Sequence, residues 1–512
     1  MVCVRRFNPA DYTPVCVRPA MTRGLSLSLS TFILALAMQA CAWRQPLVIP
    51  AKPDLAGCAV FFRDMDARVE AFGVADAAAA RIEGFSGLRA DRFLASFAGA
   101  DLTADAFAVW LERLRRLDET ARLSEWRNLP DRAKAALPAP ADQEIEKAVS
   151  GCGRILAEQV LNSPDLRARL PSAIRPPDAY SAWQRIVGLY FLSRWAIVDG
   201  VRQLHSEMRA PFLGADRQPA AGRTIRYQPP AASTIRAAEV AEMLAQSAAN
   251  PLGIPEPSPD QLEQLFSAYA PVWAVDTQSD DDRIGTVGLN ADGEARVDPQ
   301  NPGVYRLVSH TRFGNRILLQ LNYLIWFPAR TSTGLLDIYA GRFDGLIWRV
   351  TLRMDGQPLA YDSIHACGCY YQIFPGAGLK VAQPRDGSEP ILTPAPILAR
   401  QPGERVVVKV AAGNHFIHGI ATGPAADAEP YGWLNYDTLR SLPMADGGYR
   451  NLFDEDGLLP GSERPERFLL WPMGVPSAGA MRQWGTHAVA FLGKRHFDEP
   501  RLLEKLLRPL WE

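Results

Sequence analysis

A chain of 512 residues with 47% apolar and 22% charged residues has the composition of a globular protein, with length enough for more than one hydrophobic core. Its 55 lysines and arginines are balanced by 56 aspartates and glutamates, leaving a net charge of −1. There is no basic footprint for nucleic acid, and no nucleic-acid partner is expected.

In chain order, residues 1–20 carry Arg5, Arg6, Asp11 and three prolines, none of which belongs in a signal peptide. Translation is therefore expected to start at Met21, with 1–20 an over-extended frame. From Met21 a short cationic start containing Arg23 leads into an apolar run from Leu25 to Met38, followed by Gln39, Ala40 and Cys41. The run is shorter than the roughly 20 apolar residues of a spanning helix, so it reads as a removable signal. Met38-Gln39-Ala40-Cys41 resembles a bacterial lipobox, the site at which the precursors of outer-membrane lipoproteins are acylated. The resemblance covers only 21–41. It implies a signal peptide over 21–40, lipid (palmitate among the acyl chains) on Cys41, and a tether over 41–57. Because Ala42 rather than an aspartate follows the cysteine, it also implies a place on the periplasmic side of the cell outer membrane, with the membrane as a partner through the anchor. No other stretch reads as a span: Ile186 to Val198 carries Arg194 and is too short.

Residues 58–213 are expected to form a helical domain. Phe107, Trp110, Leu111, Leu114 and Leu117 fall at spacings of three and four, one face of an amphipathic helix. A further helix is expected from about Ala179 to Met208. Its Trp183, Ile186, Val187, Tyr190, Phe191, Trp195, Val198 and Val201 are apolar nearly all round, which predicts the centre of a bundle. Residues 214–260 are rich in proline and small residues and read as a linker, with one helix around Ala237 to Ala248. Ser258-Pro259-Asp260-Gln261 opens another helix.

Over 261–512 the period changes to two, predicting a mainly antiparallel β-rich domain with a C-terminal helix carrying Leu502, Leu503, Leu506 and Leu507. Strands are expected at Val304 to Ser309, Ile317 to Phe327, Leu346 to Leu352, Arg405 to Val410 and Phe468 to Trp471. In the third of these, Leu346, Trp348, Val350 and Leu352 share one face, and Asp355-Gly356 supplies a hairpin turn. The fold class is thus α+β. Most tryptophans of this half are expected in its core, although aromatic platforms can also stack on glycans.

Of seven cysteines, Cys3 and Cys16 precede the expected start and Cys41 is the lipid site. Cys58 and Cys152, flanked by Gly57, Gly151 and Gly153, are expected to form a disulfide in an oxidising compartment. The second strand of the hairpin runs into His365-Ala366-Cys367-Gly368-Cys369. Continued extension would place His365, Cys367 and Cys369 on one face. Imidazole and thiolate suit zinc or copper, and His415 or His418, after a Gly413-Asn414 turn, could complete the ligand set, with Asp362 behind. The same cysteines could form a structural disulfide if Gly368 bends the chain, or a redox-active pair. His310, His487 and His496 taken singly read as structural. Asp280-Asp281-Asp282 reads as a solvated acidic turn rather than a calcium loop. No His-Glu-x-x-His, Gly-x-Ser-x-Gly, P-loop or dinucleotide fingerprint occurs. The expectation is a lipid-anchored envelope protein with a metal or redox-thiol site. Its alternative is a non-catalytic binding or scaffolding lipoprotein, with an envelope protein or glycan as partner.

Overall fold

The computed structural model describes residues 47, 49–50, 53–134, 141–214, 222–230, 235–334, 336–400, 403–424 and 427–511. The expected leader, with Cys41, lies outside them.

Three long helices build the first layer: α1 (Leu55–Phe72), α2 (Ala104–Asn128) and α3 (Ala141–Asn162). Asp54 caps α1 by accepting from the Gly57 amide, and Gly73 ends it in the left-handed region at φ 61°. The expected stripe on α2 is inward, with Trp110, Leu111 and Leu114 buried. Phe61, Phe62, Trp126, Ile145 and Val149 pack around the Cys58–Cys152 disulfide, whose Cα atoms are 5.0 Å apart. Buried ions tie the layer together: Arg89 meets Asp118 at 3.1 Å and Glu125 at 2.7 Å, and Arg122 meets Asp118 at 2.6 Å.

The helix expected across Ala179 to Met208 is a correction. It is two helices, α4 (Ala182–Val187) and α5 (Tyr190–Arg209), broken at Gly188 and Leu189. Trp183, Ile186, Val187, Phe191 and Trp195 are exposed rather than central. Apolar character all round does not specify which side finds a partner; here only the side bearing Tyr190 and Ile197 packs, against Met473 and Val475.

The stretch expected as a linker is built into the second half. It supplies β1 (Arg223–Gln228) and α6 (Ala237–Ser247), ahead of α7 (Pro259–Tyr269), which opens on the expected Ser258/Gln261 capping box. The other strands of the two large sheets are β2 (Val272–Thr277), β3 (Gly303–Phe313), β4 (Arg316–Arg330), β5 (Gly341–Leu352), β6 (Pro358–His365), β7 (Gln372–Pro375), β8 (Arg405–Val410), β9 (Ile417–Gly423), β10 (Glu429–Pro430) and β11 (Gly432–Asn435). They form a six-stranded sheet in the order β7-β6-β5-β4-β3-β11 and a five-stranded sheet in the order β9-β8-β2-β1-β10. Most neighbours are antiparallel; β3/β11, β2/β8 and β1/β10 are parallel. The fold is α+β, with helices in the first half and strands later.

The six-stranded sheet is covered on both faces. Leu346, Trp348, Val350 and Leu352 point to the side shared with the five-stranded sheet, α6 and α7, as the alternation predicts. Ile347 faces the opposite core, built with Phe453, Met481, Phe497 and the last helix, α9 (Leu502–Leu506), which is preceded by the short α8 (Glu466–Leu469). The strand expected at Phe468 to Trp471 is therefore a correction: α8 and a 3₁₀ turn occupy it, with Phe468 and Leu469 exposed. The acidic turn Asp280–Asp282 is solvated only in part: Asp280 is exposed, whereas Asp282 is buried.

Candidate functional site

β5 and β6 pair around the Asp355-Gly356 turn, with His365 opposite Leu346 at the open end. That register sets the His365 ring beside Asp344, and His365 Nδ1 lies 3.1 Å from Asp344 Oδ1. The other Asp344 oxygen lies 3.0 Å from Nδ1 of His415, which comes from the turn between β8 and β9. His415 Nε2 is in turn 3.3 Å from Asp282 Oδ1. The result is a buried row, His365–Asp344–His415–Asp282, that stitches the two sheets together. Phe327 fixes the His415 ring by stacking on it at 3.9 Å with the planes 3° apart.

Protonation along the row is uneven. Burial alone would lower the pKa of His415, but Asp282 and Asp344 more than offset it and hold the imidazole above its ordinary value. Burial prevails at His365, whose pKa is lowered despite Asp344. Asp344 is held well below the usual carboxylate range, because its two histidines outweigh desolvation. Asp282 falls to about 2: burial is outweighed by His415 and by the amides of Gly413 and Gln278. Along the row, protonation is thus favoured at His415, between its two carboxylates, and disfavoured at His365.

The thiols do not follow the extended strand. β6 stops at His365, whose amide donates to the Cys369 carbonyl at 3.0 Å, while the Gly368 amide donates back to the His365 carbonyl at 2.8 Å. Gly368 takes φ +93°, and a Cβ there would stand 2.4 Å from the Ala488 carbonyl oxygen. Only glycine fits. Ala366 to Tyr371 is therefore a turn, and the strand alternation expected to align His365, Cys367 and Cys369 does not operate in it. Cys367 and Cys369 are free thiols, so the expected structural disulfide between them is not formed. Cys367 is buried, Cys369 partly exposed, and the Cys369 amide donates to Cys367 Sγ at 3.4 Å. Hydrogen bonding with Cys367, then burial, push the Cys369 thiol well above its ordinary value.

The five residues considered as metal ligands are not brought together. His418 points away, with Nε2 3.5 Å from Asp276, because one residue after β9 begins its side chain faces the outer side of the five-stranded sheet. His310 sits elsewhere, against the Pro255 carbonyl. Among the described residues no three His, Cys, Asp or Glu side chains converge so as to hold a metal ion. Nδ1 of His365 and Nδ1 of His415 are both turned to Asp344, and Nε2 of His365 is buried with no hydrogen-bond partner.

Other groups complete the site. Arg330 donates to the Tyr370 hydroxyl at 3.2 Å and lies 5.3 Å from the Phe416 ring. Behind them Glu466 is buried, and burial raises it to about 7 against the pull of Arg464 and Arg330. Arg482 reaches the Cys367 carbonyl at 3.2 Å. Phe343, Tyr370 and His415 all take positive φ, at 60°, 63° and 53°, although none is glycine. Such backbone strain gathers where a precise side-chain geometry is held.

Asp344, Glu466 and Arg330 were not singled out from sequence, and Asp282 was read only as part of a solvated acidic turn. Asp344 had a signal, a carboxylate inside the apolar run Phe343 to Leu346; Glu466 had none. A scan against protein-family models, a search of curated proteins and a search of solved structures each find no match.

Proposed function

We propose that this chain is a lipid-anchored cell-envelope protein, held at Cys41 on the periplasmic side of the outer membrane, whose β-rich half carries a reversible thiol pair at Cys367 and Cys369. The observation that carries the redox reading is the turn itself. It holds two unbonded sulfurs side by side, with Cys369 partly exposed, in a backbone that Gly368 already bends. In exchange with a partner's disulfide, one Cys367–Cys369 bond would form, two protons and two electrons would leave the pair, and the partner would gain two thiols. The Cys58–Cys152 disulfide supports an oxidising compartment.

The second reading is a non-catalytic binding or scaffolding lipoprotein with the same cysteines inert. The raised Cys369 pKa favours it, because the thiol and not the thiolate prevails at neutral pH.

The test is to equilibrate the full chain in glutathione buffers of graded potential, trap it with an alkylating agent, and map the peptides. The redox reading expects Cys367 and Cys369 to convert together and reversibly while Cys58 and Cys152 stay bonded. A pair that stays reduced throughout, or stays bonded throughout, overturns it. Intact mass of membrane-extracted protein reports separately on the lipid at Cys41.

A further inference from the structure

α4 and α5 meet at a rigid corner. Ser181 caps α4, a Cβ on Gly188 would lie 2.6 Å from Pro472 Cα, and Leu189 takes φ 50°. The corner is also pinned by Arg185, whose side chain donates to the carbonyls of Met473 at 2.8 Å and Gly493 at 2.7 Å.

Held this way, the corner turns Trp183, Ile186, Val187, Phe191, Leu192 and Trp195 to solvent. Trp183, Phe191 and Trp195 are 60%, 64% and 69% exposed. The patch continues through the Trp183–Trp471 ring contact, at 5.3 Å, towards Phe468 and Leu469, which are 72% and 60% exposed. A contiguous apolar surface of this kind needs an occupant.

We propose that this corner inserts into the interfacial layer of an anionic phospholipid leaflet, with α4 and the first half of α5 lying in the membrane plane. The charge pattern selects this occupant. Between Ala182 and Arg209 stand four arginines, Arg185, Arg194, Arg202 and Arg209, against only two carboxylates, Asp199 and Glu207. The cations flank the aromatic rings, with Arg194 5.8 Å from Trp195 and Arg467 4.8 Å from Phe468. Past Trp195 the exposed residues become Asp199, Arg202 and Gln203, so the apolar region is a tip with a polar continuation. Tryptophan at the headgroup level, aliphatics below it and arginine beside it is the pattern of an interfacial helix. Among the described residues no helix is long and apolar enough to cross a membrane, and this one would lie on it. The insertion needs neither the thiol pair nor the lipid at Cys41.

The test uses the full chain carrying Cys41→Ser, which has no acyl anchor, in flotation with vesicles of phosphatidylethanolamine and phosphatidylglycerol. The Trp183→Ser/Phe191→Ser/Trp195→Ser variant should bind on the order of 100-fold more weakly. Arg202→Glu/Arg209→Glu should weaken binding about 10-fold, with little effect on vesicles of phosphatidylcholine alone. Because these side chains are exposed, the variants should keep the Cys58–Cys152 disulfide and the parental circular dichroism. A second readout is independent of the leader: brominated acyl chains should quench parental tryptophan fluorescence, and Trp183→Phe/Trp195→Phe should abolish most of that quenching. Unchanged flotation of the triple variant together with unchanged quenching overturns the proposal. So does conversion of a dimer to a monomer by the triple variant without loss of vesicle binding, which would make the face a contact between copies.

Discussion

The two cysteine pairs of the described residues have opposite fates. Cys58 and Cys152 are 94 residues apart and bonded; Cys367 and Cys369 are two apart and free. Nearness in sequence is the poorer guide. The distant pair sits on α1 and α3, two helices that share one core, so folding alone brings the sulfurs together and the bond mainly restricts the unfolded chain. The near pair lies in a turn already closed by the His365–Cys369 hydrogen bond. A bridge across so few residues removes little further freedom, and the positions are left available for chemistry.

The comparison is tested most severely by deleting the distant bond. Cys58→Ala/Cys152→Ala should lower stability by about 4 to 5 kcal/mol in the chain-entropy model, read as a lower urea midpoint. A loss below about 1 kcal/mol would mean that the helical layer is held by its buried Arg89, Arg122, Asp118 and Glu125 network instead.

The next largest effect is expected where ions rather than a bond join the elements. Asp344→Asn leaves His415 buried without one of its two counter-charges and should cost about 3 kcal/mol. Its pH dependence has a definite sign. Asp344 is depressed, so its contribution is present above its ordinary value of 3.8 and is lost as pH falls below it. His415 is raised, so its contribution is full below 6.5 and is lost as pH climbs through its elevated value. The gap between parent and variant should be widest between about pH 4 and 6.5 and should narrow above. A gap that widens above pH 7 would show that His415 is neutral in the row.

Much of this was legible in sequence. The α2 stripe, the capping box at Ser258, the β5–β6 hairpin and the Cys58–Cys152 bond follow from periodicity, capping, turn residues and cysteine count. The row was half legible. His365 and His415 stood out as metal-capable residues, but the carboxylate between them lies 21 residues before one and 71 before the other, and only the sheet register brings it in. The turn after β6 was misread because Gly368 permits a positive φ without requiring one; the Ala488 carbonyl that excludes any side chain there is supplied from far along the chain. The exposed α4–α5 corner was misread for the converse reason. Periodicity reports that a helix is apolar, not that the fold offers it a partner on that side.

A smaller effect comes from Glu466, beside the free thiols. Its folded pKa is raised to about 7 from 4.5, so the native state binds the proton more tightly than the unfolded chain. Stability should therefore fall as pH rises from about 4.5 to 7, by at most about 3 kcal/mol, and stay low above. Glu466→Gln should flatten that slope and make the protein more stable than the parent at pH 8. An unchanged slope would assign the pH dependence to another group.

The smallest effect returns to the near pair. Cys367→Ala/Cys369→Ala removes two unbonded side chains, only one of them fully buried, and should cost about 1 kcal/mol, well short of the distant pair. Alkylation sharpens the contrast kinetically. Cys369 is partly exposed and should react before Cys367, which is 5% exposed and waits on an opening of the turn. Because hydrogen bonding and burial hold the Cys369 thiol well above its ordinary value, its labelling rate should still be climbing past pH 9, where an ordinary thiol has begun to level off. A plateau near pH 8.5 would mean that Arg482, rather than Cys367 and burial, governs the sulfur. In that case the near pair would be poised for exchange at neutral pH, and the difference between the two pairs would lie in reactivity as well as in bonding.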